Sequence, residues 1–258
     1  MKEKIYTIPV TDAFKTECEC PICVLEKKLE DENIEYVLGP FLMEPDGRAI
    51  TNEKGFCRTH FEMLYNTQAN RLGLGLIVDT HLCEQNSKLK KIYQEKADQL
   101  KKDSELSMIK NLSNKISSKQ TETDKLVDTL VNKLSELENS CTICSRLEDT
   151  MDRYIDVIFY LFFKEEDFKA MFNNQKGFCL KHLRQLLVNT KKYLNPKETA
   201  IFVSSLMSMQ IENMERIQQE VNWFTKKFDY RYNDEPWGNS KDSLQRSVQK
   251  LVGHCNLK

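Results

Sequence analysis

Glycine and proline are scarce in this chain. Its 258 residues include 8 Gly and 6 Pro, together about 5% against a usual share of about 12%. Neither occurs anywhere between Leu76 and Lys176, a run of 101 residues. Sheet architectures need turn residues every few positions, so this scarcity excludes most all-β folds and predicts an all-α protein. Charge of one sign is lacking too: 38 basic residues face 39 acidic ones, which excludes a polybasic nucleic-acid binder by composition. Long apolar runs are missing. Leu72–Val78 and Ile155–Phe163 fall short of the roughly 20 residues that a membrane-spanning helix needs. The first six residues, Met1-Lys2-Glu3-Lys4-Ile5-Tyr6, carry charges and no apolar core, so no signal peptide is expected. A soluble, cytoplasmic protein is the expectation. The chain has no phosphate loop, dinucleotide fingerprint, hydrolase elbow or paired-carboxylate signature.

Cysteine is what the chain has in quantity. Nine cysteines in a reducing compartment point to metal or redox chemistry rather than to a disulfide framework. Their spacing repeats. Cys20-Pro-Ile-Cys23 is followed, after 33 residues, by Gly55-Phe-Cys57-Arg-Thr-His60; Cys141-Thr-Ile-Cys144 is followed, after 34 residues, by Gly177-Phe-Cys179-Leu-Lys-His182. Ile22 matches Ile143, and Leu64, Asn66 and Thr67 match Leu187, Asn189 and Thr190. The chain thus reads as an internal duplication with an offset of 121–122 residues across the Cys-x-x-Cys and Cys-x-x-His motifs.

Two ligands three residues apart at a helix start can reach one ion, and a second such pair completes a tetrahedron. Three thiolates and one imidazole form a structural zinc set. Pairing each CxxC with the CxxH of its own repeat gives Cys20, Cys23, Cys57 and His60 for one Zn²⁺, and Cys141, Cys144, Cys179 and His182 for a second. Helix N-termini would support the net negative charge of each site. Cys18 is one thiol more than the first site needs. It is either an alternate ligand for Cys20 or a redox-active spare, and the second copy has no cysteine at the matching position.

The pattern places helices at about 24–37, 58–67, 70–117, 147–172 and 196–227. Between the first two, Leu38–Lys54 reads as an irregular loop or small hairpin. Gly73 and Gly75 would let another helix approach closely. A polar turn at Ser117–Thr121, with an N-cap before Glu122-Thr123-Asp124, is followed by a seam of Val127, Leu130, Leu134, Leu137 and Cys141. Residues 88–119 carry a net charge of +5 and residues 121–150 a net charge of −4, which suggests an antiparallel helical hairpin. Nucleic-acid binding is the rival reading of the basic segment, but Tyr93 is its one aromatic. Met151, Tyr154, Ile155, Ile158, Phe159, Phe162 and Phe163 form a broad core stripe, and Ile201, Ser205, Met209 and Met214 imply helix packing. After Lys227 comes an aromatic arm, from Phe228 through Tyr230, Arg231 and Trp237, where Ser240 would cap a last helix over 241–252. The organisation that follows is a helical bundle of two zinc-stapled repeats, 1–120 and 121–227, with a long central hairpin and a C-terminal arm, 228–258, in one compact unit.

With the two Cys-x-Ile-Cys and Gly-Phe-Cys-x-x-His motifs, Asn70-Arg71-Leu72-Gly73-Leu74, Thr80-His81-Leu82 and Asp229-Tyr230-Arg231 to Pro236-Trp237-Gly238 in view, the chain resembles a family of uncharacterised proteins from Gram-positive anaerobes. That family is a domain of unknown function spanning the whole chain. The resemblance implies a single full-length unit and no particular activity.

Three functions fit the sequence. The first is a zinc-binding helical scaffold with a protein partner, since eight ligands fill two sites and leave no open catalytic position. The second is a thiol redox sensor in which Cys18, Cys20 and Cys23 oxidise and release zinc. The third is an enzyme with a pocket near His81; Asp79 and Cys83 lie close to it in sequence, but positions two apart do not share a helix face. Cys83 and Cys255 read as bland positions, His254-Cys255 as solvent-exposed, and His81 as a packing or capping side chain.

Overall fold

The computed structural model describes residues 5–104, 121–255 and 257. Among the described residues there are eleven α-helices and no strand, as the shortage of turn formers requires. They are α1 (Thr7–Lys15), α2 (Pro21–Leu38), α3 (Pro45–Lys54), α4 (Arg58–Thr67), α5 (Arg71–Ser104), α6 (Glu122–Glu138), α7 (Thr142–Lys164), α8 (Glu166–Asn173), α9 (Leu180–Tyr193), α10 (Pro196–Lys226) and α11 (Ser243–Val252). Short 3₁₀ turns occupy Pro40–Met43, Tyr230–Tyr232 and Gly238–Ser240.

The chain divides into two compact units. One holds the residues up to Glu30 together with those from Leu147 onward; the other is Asp31–Arg146. The boundaries fall inside α2 and inside α7, so this division does not follow the two sequence repeats.

The first unit is built on phenylalanine. Phe14, Phe159, Phe162, Phe172, Phe178 and Phe202 are each at most 2% exposed. The Phe162 ring meets Phe172 edge-on at 5.1 Å and Phe202 at 5.0 Å, an arrangement that the ring quadrupoles favour. The expected aromatic stripe is therefore core, but its helix is not continuous to Phe172. The chain breaks at Glu165, whose φ of −120° and ψ of 105° are extended, and α8 starts in a new direction. That break lets Phe168 and Phe172 turn in beneath Phe14.

Helix α10 begins where expected. Asn195 accepts from the Glu198 amide while the Glu198 carboxylate accepts from the Asn195 amide, a reciprocal cap with Pro196 at the first helical position. Its buried face is shifted from the expected stripe: Phe202, Leu206, Met209, Gln210 and Ile217 are buried, whereas Ile201 is 43% exposed and Ser205 half-buried. The last helix starts after Asp242 rather than at Ser240, which sits buried in the preceding turn and accepts from the Ser243 hydroxyl through its carbonyl. The aromatic arm is strapped to the end of α10. The buried Lys227 ammonium donates to the carbonyls of Tyr232, Asn233 and Glu235, and the Trp223 indole donates to the Pro236 carbonyl. Trp237 is half-buried beside Phe224, Arg231 pairs with Asp229, and Tyr230 is exposed.

In the second unit α5 packs along α6 and α3 packs on α5. The stretch from Leu38 to Lys54 is helical, not a loop or hairpin: Pro40 and Pro45 each open a helical turn, a position where the missing amide costs nothing. Gly73 does sit against a neighbour, Leu42, while Gly75 faces open space. Thr121 caps α6 reciprocally with Asp124. Residues 105–120, where the long basic helix was expected to end and the polar turn to begin, lie outside the described residues. The charge hairpin survives as one cross-helix ion pair among the described residues, Lys96 to Glu122 at 2.6 Å, beside the Thr123 hydroxyl donating to Asp103. The inward seam of α6 is Leu126, Leu130 and Leu137; Val127 and Leu134 point outward.

The register of α10 is directly testable. Phe202→Ala removes a fully buried ring and should cost about 3–5 kcal/mol, whereas Ile201→Ala should cost less than about 0.5 kcal/mol. Urea unfolding of the two variants, followed by circular dichroism, distinguishes this register from the one centred on Ile201.

Candidate metal centres

Both sequence motifs are helix starts. Cys20 precedes α2 and Cys23 lies in its first turn, with the Cys23 amide donating to the Cys20 carbonyl at 3.1 Å. Cys141 and Cys144 stand the same way on α7. Cys57 and Cys179 are the N-caps of α4 and α9, with extended backbone (φ −69° in both), and His60 and His182 fall in the following turns. The glycine of each Gly-Phe-Cys is required by its backbone. Gly55 and Gly177 have φ of +59° and +87°, where a side chain is strained, and a Cβ would lie 2.8 Å from the His81 ring or 2.9 Å from Gln210 Oε1.

All eight ligand candidates gather into two tetrads, but the pairing within each repeat is overturned. Cys20 and Cys23 meet Cys179 and His182; Cys57 and His60 meet Cys141 and Cys144. In each set the donor atoms lie within 4.8 Å of one another and could hold a metal ion. In the first, His182 Nδ1 stands 3.4, 3.3 and 3.2 Å from the sulfurs of Cys20, Cys23 and Cys179, and Cys23 and Cys179 are 3.6 Å apart. In the second, His60 Nδ1 stands 3.2, 3.2 and 3.4 Å from those of Cys57, Cys141 and Cys144, and Cys57 and Cys144 are 3.8 Å apart.

Hydrogen bonds to backbone carbonyls hold the crossed pairing. Thr142, inside the second CxxC, donates through both its amide and its hydroxyl to the Gly55 carbonyl, each at 3.0 Å. The second CxxC is thereby held directly against the first Gly-Phe-Cys. The matching residue of the first CxxC is Pro21, which has no amide to donate. There Lys250 of α11 makes the bridge. Its ammonium donates to the Glu19 carbonyl at 2.7 Å and to the Lys176 carbonyl at 2.5 Å, joining the residues that lead into each motif. Lys250 is 1% exposed and also pairs with the Glu19 carboxylate at 3.0 Å. Arg216 and Arg246 complete the neutralisation of Glu19, and Glu220 bridges the two guanidiniums. Gln210 fixes the second Gly-Phe-Cys, accepting from the Phe178 amide and donating to its carbonyl.

The two centres differ electrostatically. His182 Nε2 faces Glu26 Oε2 at 3.3 Å, and Lys181 holds the other Glu26 oxygen at 2.6 Å. Burial works to raise the Glu26 carboxyl, and the His182 and Lys181 contacts outweigh it, bringing it to about 2. Burial likewise opposes the charged form of His182, but the thiolates and Glu26 raise it to about 11. A carboxylate behind a ligating histidine fixes the ring and strengthens it as a donor. The aligned position in the second repeat is Leu147, so the motif alone does not supply such a carboxylate for His60. At Cys141, burial works to raise the thiol and His60 prevails, holding it at about 6.

Cys18 belongs to neither tetrad. It is half-buried, and burial pushes its thiol up. Cys20 fills the ligand position that the spacing left open between the two. Cys83 is exposed, Cys255 half-buried and His254 exposed. His81 is a packing side chain: its ring lies beneath Gly55, with Nδ1 2.8 Å from the Asn52 carbonyl. Sequence reasoning missed Glu26, Thr142, Gln210 and Lys250. Glu26 carried a signal, one helical turn after Cys23 on the same face; Lys250 carried none.

The chain belongs to a family of unknown function, DUF6062, whose model matches residues 1–258. No curated protein and no solved structure matches it.

Glu26→Ala should weaken metal binding at the first centre by about 10–100-fold and leave the second unchanged, as read by competition against a chelator of known affinity. Lys250→Met should destabilise the first unit by about 1–3 kcal/mol, because it leaves the Glu19 and Lys176 carbonyls without their buried donor while Arg216 and Arg246 still pair with the Glu19 carboxylate; a denaturant melt gives the value.

Proposed function

We propose that this member of a family of unknown function binds two Zn²⁺ ions as structural cross-links, and that the stapled helices form a scaffold for a protein partner rather than a catalytic site. One observation carries the reading: two Cys₃His sets, drawn from distant parts of the chain, each converge to the size of a zinc coordination shell. Zn–S and Zn–N bonds of about 2.3 and 2.0 Å give tetrahedral edges of about 3.8 Å between sulfurs and about 3.5 Å between sulfur and nitrogen. One sulfur–sulfur pair in each tetrad is 3.6 or 3.8 Å apart, the sulfur–nitrogen distances are 3.2–3.4 Å, and all donor atoms of a tetrad lie within 4.8 Å of one another. The donor set, three thiolates and an imidazole, favours zinc over the hard cations.

Four protein ligands leave no position for a substrate or an activated water, which argues for a structural role. The second unit has the most to gain. Its apolar core is modest, around Ile34, Val37, Phe41, Phe56, Leu64, Ile77, Leu126 and Ile143. Structural zinc contributes roughly 10–16 kcal/mol, comparable with the whole net stability of a domain, about 5–15 kcal/mol.

Elemental analysis of the purified protein should find two zinc ions per chain. Exhaustive chelation, or Cys141→Ser, should unfold at least the second unit, read as lost helical circular dichroism and lost amide protection across Asp31–Arg146. Protein that contains no metal yet keeps its melting temperature would sink this reading.

A further inference from the structure

The two centres are unequally open to solvent, and this sets which of them responds to oxidants. In the first tetrad Cys20, Cys23, Cys179 and His182 are 5, 9, 0 and 0% exposed. Gly253, just after α11, closes over it: a Cβ there would lie 3.6 Å from the Cys179 sulfur and 3.8 Å from that of Cys23. In the second tetrad Cys141 and His60 are buried, but Cys144 is exposed and Cys57 half-buried. These two reachable sulfurs are also neighbours, 3.8 Å apart.

We infer that the second centre is an oxidant-releasable zinc site, in which Cys57 and Cys144 form a disulfide and the ion leaves, while the first centre keeps its ion. The inference rests on the zinc reading above and adds a regulated state to one of its two sites. It places redox sensitivity at Cys57 and Cys144, not at the crowded Cys18-x-Cys20 end of the first CxxC.

The co-reactant is a hydroperoxide. The Cys144 thiolate attacks the outer peroxide oxygen; the O–O bond breaks, and the departing alkoxide or hydroxide takes a proton from water. The resulting Cys144 sulfenic acid is attacked at sulfur by the Cys57 thiolate, forming the S–S bond and expelling hydroxide, which is protonated to water. Two thiolates lose two electrons in all, and the hydroperoxide gains them as alcohol (or water) plus water. A disulfide requires the sulfurs to close to about 2.0 Å, which is incompatible with both remaining ligands on one ion, so Zn²⁺ is released from the remaining Cys141 and His60.

The test uses the full chain carrying two zinc equivalents, titrated with hydrogen peroxide in the presence of a colorimetric zinc indicator. Expected is a first phase releasing one equivalent, accompanied by a Cys57–Cys144 linked peptide in the mass map, while Cys20, Cys23 and Cys179 remain unmodified. A thiol reducing agent with added zinc should restore the second equivalent. Cys83→Ser, which removes an exposed thiol outside both tetrads, should leave the first phase unchanged. Release of both equivalents together, first-phase linkage among Cys18, Cys20, Cys23 and Cys179, or loss of the first phase in Cys83→Ser would each overturn the inference with the zinc reading intact. A purified chain without zinc overturns both.

Discussion

The crossed closure of the two tetrads is the constraint on which the rest of the structure depends. Each tetrad requires two helix N-termini to converge with their first turns facing, within 4.8 Å at the ligand atoms. Three thiolates against a divalent ion leave a net negative charge, and convergent helix N-termini are an environment that stabilises it. The extended N-cap backbone of Cys57 and Cys179 and the left-handed glycines two residues before them follow from that requirement. So does the placement of Phe56 and Phe178: the turn that presents the cysteine outward to the ion sends the preceding ring inward to the core.

The pairing makes the metal loops nested rather than sequential. Cys23 and Cys179 are 156 residues apart, and Cys57 and Cys144, 87 residues apart, lie between them. Pairing within repeats would have closed two short loops side by side. The entropic difference is small, because closure cost grows only as the logarithm of loop length; lengthening a loop from about 34 to 156 residues costs roughly 1.4 kcal/mol. A single well-formed hydrogen-bond pair, such as the two from Thr142 to Gly55, offsets most of that. Sequence proximity was therefore a weak guide to which half-sites meet, although spacing was a good guide to which residues make up the tetrads.

The same distinction runs through the rest of the chain. Helix content, the caps at Thr121 and Asn195 and the eight residues of the two tetrads were legible because each is a local signal: spacing, a capping box, a breaker. What was not legible depends on tertiary packing. Pro45-Asp46-Gly47 has the composition of a turn, yet opens α3 because proline is also well suited to a first helical turn. Glu165 carries no breaker signal, and the chain bends there because two phenylalanines beyond it complete a core nucleated by others. In the stripes of α6 and α10, Leu130, Leu137 and Met209 face inward as expected but Val127, Leu134 and Ile201 do not, since both helices carry apolar residues on more than one face.

The two tetrads are held together differently although their motifs share the same spacing. Thr142 joins the motifs of the second centre by its own backbone and hydroxyl. Pro21 at the matching place has no amide to donate, and the first tetrad is bridged instead by the ammonium of Lys250 on α11. A buried cation needs its own compensation, and Glu19 supplies it, with Arg216, Glu220 and Arg246 balancing the remaining charge. The C-terminal helix thus helps to build the first tetrad, although it contributes no donor atom to it. Its arrival carries Gly253 over the sulfurs and closes that centre to solvent, whereas the second, joined internally, needs no such cover and stays open at Cys144. The unequal exposure of the two tetrads goes with what joins them: Thr142 from within the second, and α11, with Gly253 behind it, over the first.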